Sequence, residues 1–321
     1  MNMPVLTATD YAAPFLLSNR HLNTVFPTLF RRIAPALYQR ERIPTPDNDF
    51  LDLDFSRTGS RSAVIILHGL EGNSTRVYVT GMVHIFNDSG FDTVSMNFRG
   101  CSGESNKALR FYHSGETGDL QTVIDHISPH YDHIHLVGFS LGGNVMLKYV
   151  GEKGTSIPKI VKSAVAVSVP VDLLDSSTEL EKRHNAIYRM RFIRSLGEKL
   201  TEKAKAYPND ISLQGFSAIR TFREFDDRYT APLHGFRDAL DYWRQSSSVF
   251  YLQGISIPTL LINALDDPFL GKGCYPFDAA SANPNFHLET PENGGHVGFV
   301  TFSEKYYWSE KRAWQFIRHH R

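Results

Sequence analysis

Gly138-Phe139-Ser140-Leu141-Gly142 sets a serine between two glycines in the pattern G-x-S-x-G. The residues before it, HIHLVGF, read as a strand, and those after it, LGGNVMLKYV, as a helix. A serine at such a junction takes a sharp, strained turn that lifts its hydroxyl above the sheet, and the glycines leave room for that turn. The helix start then offers free N–H groups and positive potential to a developing oxyanion. The same glycines loosely match the dinucleotide pattern G-x-G-x-x-G. Ser140 stands where the middle glycine would be, however, and its Cβ would obstruct a pyrophosphate. Nucleophilic attack by Ser140 is the chemistry the pattern supports, and a serine needs a base and an orienting acid to perform it.

Fourteen histidines compete for the role of base. His287 is pinned inside the strand-like NFHLE, and His319 and His320 close the chain. His296 follows NFHLET and the turn PENGG at 291–295 and leads into the last helix, which makes it the expected base. For the acid, Asp266 and Asp267 directly follow PTLLIN, giving the order Ser, Asp, His along the chain; Asp172, just after SAVAVSV, is the runner-up. Adjacent residues leaving a strand point in opposite directions, so only one of Asp266 and Asp267 can reach His296. Pro268 biases Asp267 toward an extended backbone, which suits a residue that must hold an imidazole still. The oxyanion hole should use the N–H of Leu141 and one from the loop His68-Gly69-Leu70-Glu71-Gly72, with Leu70 favoured. His68 is expected to serve as a structural hydrogen-bonder.

These residues need a sheet to hold them. Short apolar runs at 63–67 (AVIIL), 93–96 (TVSM), 134–137 (IHLV), 163–169 (SAVAVSV), 258–263 (PTLLIN) and 285–289 (NFHLE) read as strands. Helical stretches are expected at 76–88, 117–127, 141–151 and 303–318. The alternation predicts an α/β fold with a central, mostly parallel β-sheet flanked by helices. Residues 172–248 break the rhythm. There Ile187, Met190, Ile193, Leu196 and Leu200 recur at helical spacing among many basic residues. Such a block reads as a mostly helical cap inserted late in the sheet, over its C-terminal edge. The expected organisation is an N-terminal segment, 1–50, packing on the core; a core at 51–171 and 249–321; and a cap at 172–248. Apolar cap residues including Ile187, Met190, Phe192 and Ile193 are expected to pack the cap down and line an acyl pocket.

Thirty-four basic and thirty-four acidic residues cancel, which argues against a nucleic-acid partner bound through bulk positive charge. No apolar run approaches the roughly 20 residues that span a bilayer, and the first residues lack the positive start of a signal peptide. Cys101 and Cys274 match no metal or redox spacing. The expectation is a cytoplasmic enzyme with no metal and no organic cofactor, acting on a small-molecule ester, with no stable membrane insertion.

The assembled motifs resemble the α/β-hydrolase superfamily and, within it, the YheT-like branch. The resemblance runs through NRHLNTVFP (19–27), HGLEGNST (68–75), NFRGCSGE (97–104), GFSLGGN (138–144), FREFDDRYTAPLHGF (222–236), NALDDPF (263–269) and GGHVGF (294–299). It implies a sheet with a cap, a serine carboxylesterase or lipid-directed hydrolase, and a triad of Ser140, Asp267 and His296. Two alternatives follow: a phospholipase or acylglycerol lipase that works at a lipid surface, docked through the basic face at 182–205, and an idle hydrolase scaffold that only binds. Within FREFDDRYTAPLHGF, Arg223, Asp226, Asp227 and Arg228 are expected to form a charge network that holds the cap on the sheet.

Overall fold

The computed structural model describes residues 5–6, 9–302 and 304–320. Residues 1–4, 7, 8, 303 and 321, which include the start of the N-terminal segment and the expected first residue of the last helix, lie outside the described residues. Nine strands form one sheet: β1 (Val5–Leu6), β2 (Gln39–Pro44), β3 (Phe50–Ser56), β4 (Ser62–Leu67), β5 (Asp92–Asn97), β6 (His133–Phe139), β7 (Val161–Val167), β8 (Thr259–Ile262) and β9 (Phe286–Glu289). Their spatial order is β1-β9-β8-β7-β6-β4-β5-β3-β2. Pairing is parallel from β1 through β5 and antiparallel where β3 joins β5 and β2 joins β3.

The main helices are α1 (Arg20–Phe30), α2 (Val77–Asp88), α3 (Thr117–Ile127), α4 (Leu141–Lys153), α5 (Leu173–Glu181), α6 (Ala186–Ala206), α7 (Phe222–Phe225), α8 (Ala231–Leu233), α9 (Ala239–Ser246), α10 (Phe277–Ala282) and α11 (Trp308–Arg318). A π-helical turn, Asp226–Thr230, links α7 to α8. The parallel strands are buried on both faces, and alternate residues serve opposite layers. In β4, Ala63, Ile65 and Leu67 pack with α3 and α4, while Val64 and Ile66 pack with α2 and α11.

The six expected strands and the first three helices fall where the apolar runs place them, whereas the last helix begins at Trp308, residues 304–307 being non-helical. The N-terminal segment does more than pack on the core, because β2 and the start of β3 extend the sheet itself. The helices α5 to α9 lie between β7 and β8 and form apolar clusters of their own around Leu200 and Phe225 and around Leu173 and Trp243. The expected stripe on α6 is only partly inward. Ile193 and Leu200 are buried, but Ile187 and Met190 stand 76% and 57% exposed, so they do not pack this block down.

The expected charge network is also absent as such. Arg223 meets Asp227 at 3.7 Å on the surface. Arg228 donates to the carbonyls of Ser212 and Gln214. Asp226 is buried, and its carboxylate accepts from Trp243 Nε1 and Thr230 Oγ1. Lysines of α6 tie the block to the core instead. Lys199 Nζ lies 2.8 Å from Glu71 Oε1. The buried Lys203 donates to the carbonyls of Asn106 and Ala108 and to Asn106 Oδ1. A lysine reaches those carbonyls because its long stem can be buried while its ammonium finds three acceptors.

Candidate active site

Ser140, Asp267 and His296 follow three different strands, β6, β8 and β9, beyond their C-terminal ends. Ser140 sits at φ 51° and ψ −121°, a sparsely populated conformation for a residue with a side chain. The turn is held because α4 packs hard against the sheet. A Cβ at Gly142 would lie 2.4 Å from the His68 carbonyl oxygen, and one at Gly138 would lie 2.6 Å from Gly143 Cα. The Ser140 N–H is fixed by the Val167 carbonyl at the end of β7.

The three side chains meet. His296 Nε2 lies 2.9 Å from Ser140 Oγ. Its Nδ1 lies 2.8 Å from Asp267 Oδ2 and 3.1 Å from Oδ1. Asp267 is buried, and its Oδ1 also accepts from the Phe269 N–H at 2.9 Å. The Phe269 ring stands 4.3 Å from the imidazole, centroid to centroid, and shields it. The other acid candidates go elsewhere. Asp266 Oδ1 accepts from the Gly295 N–H and braces the histidine loop; burial raises its carboxyl above the ordinary range. Asp172 caps the start of α5 through the Asp175 N–H.

The loop between β4 and α2 brings Leu70 to the same place, where it borders both cavities that touch Ser140. Leu141 is the first residue of α4, so its N–H is one of the four that a helix leaves unpaired. The loop itself is fixed from behind. Tyr78 Oη accepts from the Gly69 N–H, and Tyr112 Oη accepts from the Glu71 N–H. His68 is fully buried, with Nε2 accepting from the Phe98 N–H and Nδ1 bonded to the Gly69 carbonyl. Burial pushes its pKa down to about 3, so it stays neutral and structural.

Besides Ser140 itself, three residues with side chains and positive φ lie near these groups: Glu71, Ser168 and Val297. Ser168 Oγ accepts from the Val297 N–H at 2.8 Å, and Thr24 Oγ1 accepts from the His296 N–H at 2.9 Å. Thr24 lies on α1, and residue type alone does not mark it. Its one signal in the sequence is its place within NRHLNTVFP.

Two cavities meet at Ser140 and His296. One lies beneath α5–α9 and is lined by Leu173, Leu180, Phe192, Phe222 and Trp243 among others. The other opens toward α1 and is bordered by Thr24, Thr28, Arg76, Tyr188 and Arg191. Of the expected lining residues Phe192 alone takes part; Ile187 and Met190 face outward and Ile193 belongs to the packing around Leu200.

A mainly parallel sheet with a tight serine turn after a central strand is the arrangement of an α/β hydrolase, and the chain belongs to that family: residues 62–303 match the alpha/beta hydrolase fold. It falls in the YheT-like branch. It is 38% identical over 305 residues to the Escherichia coli protein named "Putative esterase YheT", covering 92% of this chain and 89% of that protein. It is 28% identical to human phospholipase ABHD3, over 92% of this chain and 75% of that one. It is 30% identical to a Saccharomyces cerevisiae monoacylglycerol lipase, over 88% and 64%. Among solved structures, an esterase from Pyrococcus furiosus shares the fold with a TM-score of 0.60 at 19% identity, covering 91% of this chain and 96% of that one. The chain is thus a hydrolase-fold protein of the esterase/lipase type. Among the described residues, no helix is long and apolar enough to cross a membrane.

Proposed function

We propose that this protein is a serine hydrolase of carboxylic esters, with short- to medium-chain or lipid-like acyl groups, working through an acyl-enzyme. The contact chain Ser140 Oγ, His296 Nε2, His296 Nδ1, Asp267 carries this reading. Ser140 Oγ attacks the ester carbonyl as its proton passes to His296 Nε2, and Asp267 steadies the resulting imidazolium. The N–H groups of Leu70 and Leu141 hold the oxyanion; a donor of this kind is worth roughly 2.7–4 kcal/mol in the transition state. The C–O bond breaks as His296 returns the proton to the departing alcohol. Water, deprotonated by the same imidazole, then releases the acid and restores Ser140. Residues 172–248 act as the cap that encloses the ester chain, and the cytoplasm is the proposed site of action.

The test is labelling with a fluorophosphonate. Ser140→Ala should abolish it and lower turnover on the order of 10⁶-fold. Labelling that survives the substitution would remove Ser140 from the mechanism.

One observation favours a phospholipase-type variant of this reading. Arg76 and Arg191 border the second cavity, where the adjacent Glu71 is neutralised by Lys199. Two guanidinium groups beside the nucleophile suit an alcohol portion that carries a phosphate. The related proteins named phospholipase and acylglycerol lipase accord with either variant. Arg76→Ala with Arg191→Ala should then weaken turnover of a phosphate-bearing ester and spare a neutral one; equal effects on both would discard the variant.

A further inference from the structure

The helix α1 turns its apolar side away from the protein. Leu22, Val25, Phe26, Leu29 and Phe30 recur at intervals of three and four and form one stripe along it. Leu22, Leu29 and Phe30 stand 51%, 64% and 62% exposed, and the Phe26 ring touches those of Phe30 and of Phe302, itself exposed. The inward side is polar instead. The buried Asn23 donates to the Leu17 carbonyl and to Tyr11 Oη, and Thr24 accepts from the His296 N–H. Helices on globular proteins normally do the reverse, and contiguous exposed apolar surface marks a place of contact. The second cavity, distinct from the chamber beneath α5–α9, opens beside this stripe, with Val25 and Thr28 of α1 on one side and Tyr188 and Arg191 of α6 on the other. The two helices are neighbours there, for the His21 and Tyr188 rings stack at 5.8 Å. Ile187 and Met190, exposed on α6, share a face with Arg191 by the same spacing. Exposed apolar residues thus flank an opening that leads to Ser140. The charge around it has one sign. No acidic residue occurs between Asp10 and Glu41. Arg32, Arg183 and Arg191 are exposed and have no acidic partner within 4 Å among the described residues. Other basic residues of 182–205 are already committed: Lys182, Arg194 and Lys205 pair with Glu179, Glu198 and Glu202, and Lys199 and Lys203 bind the core.

We propose that α1 and the start of α6 form a docking face for an anionic lipid surface: Leu22, Leu29 and Phe30 enter the boundary between headgroups and acyl chains, and Arg32, Arg183 and Arg191 meet lipid phosphates. A lipid surface matches both halves of this face, since amphipathic helices bind it through buried apolar area and through attraction of their cations to anionic lipids. A second copy of the chain matches less well. A two-fold interface sets one patch against itself and would bring these arginines together. A protein partner seated here would close the opening. The inference rests on the ester-hydrolase reading in one respect, that an ester held in the lipid layer enters the second cavity without crossing water; docking itself needs no catalysis.

The test is co-sedimentation of the full chain with vesicles of phosphatidylcholine and phosphatidylglycerol in equal parts, and with vesicles of phosphatidylcholine alone. The mixed vesicles should bind about tenfold or more tightly at low salt, and the difference should shrink as salt is added. Leu22→Ser, Leu29→Ser and Phe30→Ser together should weaken binding to the mixed vesicles at least about tenfold. Phe250→Ser, which alters a comparably exposed phenylalanine next to α4, should leave it unchanged. A Phe30→Trp chain reads the contact while keeping an apolar side chain. Its emission, taken as the difference from the unsubstituted protein, should shift to the blue on mixed vesicles and be quenched when their acyl chains are brominated. The proposal is overturned by absence of binding, by indifference to phosphatidylglycerol, by unchanged binding of the triple variant, by an equal loss in Phe250→Ser, or by an unquenched Phe30→Trp chain. It is equally overturned if sedimentation velocity without vesicles shows a dimer that the triple variant dissociates, which would assign the stripe to a second copy. Failure of the ester-hydrolase reading would look different: no turnover of p-nitrophenyl decanoate, with vesicle binding intact.

Discussion

The backbone N–H of His296 donates to Thr24 Oγ1 at 2.9 Å, so a helix near one end of the chain fixes the imidazole that follows the last strand. With Asp266 holding the Gly295 N–H and Ser168 holding the Val297 N–H, three successive amides of the histidine loop are pinned by side chains from three other segments. The imidazole is held by its backbone as much as by Asp267.

Thr24 is therefore a positioning residue. Thr24→Val removes the acceptor at nearly constant shape and should lower kcat about three- to tenfold, the worth of one hydrogen bond. Thr24→Ser should restore it. Stopped-flow or steady-state turnover of a p-nitrophenyl ester reads both, and equal losses in the two variants would assign the effect to packing.

Asp267 and Asp266 are neighbours with opposite duties. Asp267→Asn should keep the fold by circular dichroism and lower turnover by roughly 10⁴, because the amide favours the wrong histidine tautomer. Asp266→Asn leaves an acceptor for Gly295 and should cost about tenfold at most. The reverse ranking in kcat would transfer the role of acid to Asp266.

Acyl-length preference should follow the residues that line the chamber. Phe192 does so, with its ring near those of Phe222 and Phe269. Phe192→Ala should shift preference toward longer p-nitrophenyl esters, by about 1–3 kcal/mol per methylene at most. Ile187→Ala, on the exposed side of α6, should leave the profile unchanged.

Asp226 also sets a pH dependence of stability. Its folded pKa is raised from 3.8 to about 7, so between those values the folded chain retains a proton that the unfolded chain has lost. Stability from this group is full below the unfolded value and falls as pH rises toward 7, beyond which the loss is constant. Melting temperatures across that window should therefore decline less steeply in Asp226→Asn than in the unsubstituted protein. Parallel curves would mean that the carboxyl ionises normally.

What the sequence discloses depends on what each element buries. Strands β4 to β9 sit inside the sheet and, β5 (DTVSMN) apart, are mainly apolar runs, which makes them easy to read, and the candidate triad follows from their ends. Strands β2 and β3 read QRERIP and FLDLDFS and are camouflaged by charge: Arg40 pairs with the buried Asp54, and Arg42 with the buried Asp52, across the two strands. Periodicity finds the helix α6 but not which side of it faces in: Tyr188 and Phe192 turn toward Phe269, leaving Ile187 and Met190 in solvent. The contact of Thr24 with His296 spans 272 positions of chain, and no local pattern encodes it.

The order of strands in space has a consequence for how the molecule comes into being. Ser140 and His296 are separated by 156 positions, and β1 has only β9 as its partner in the sheet. Contacts of such sequence separation close late, since the entropy of long loops must be lost before they form. On a ribosome, the turn at Ser140 can be complete while His296 is still unsynthesised, and β1 must wait for almost the whole chain before it finds its edge. The emergence of the proposed ester-cleaving activity would then be a clock for the final step of folding, lagging behind the recovery of secondary structure after dilution from denaturant.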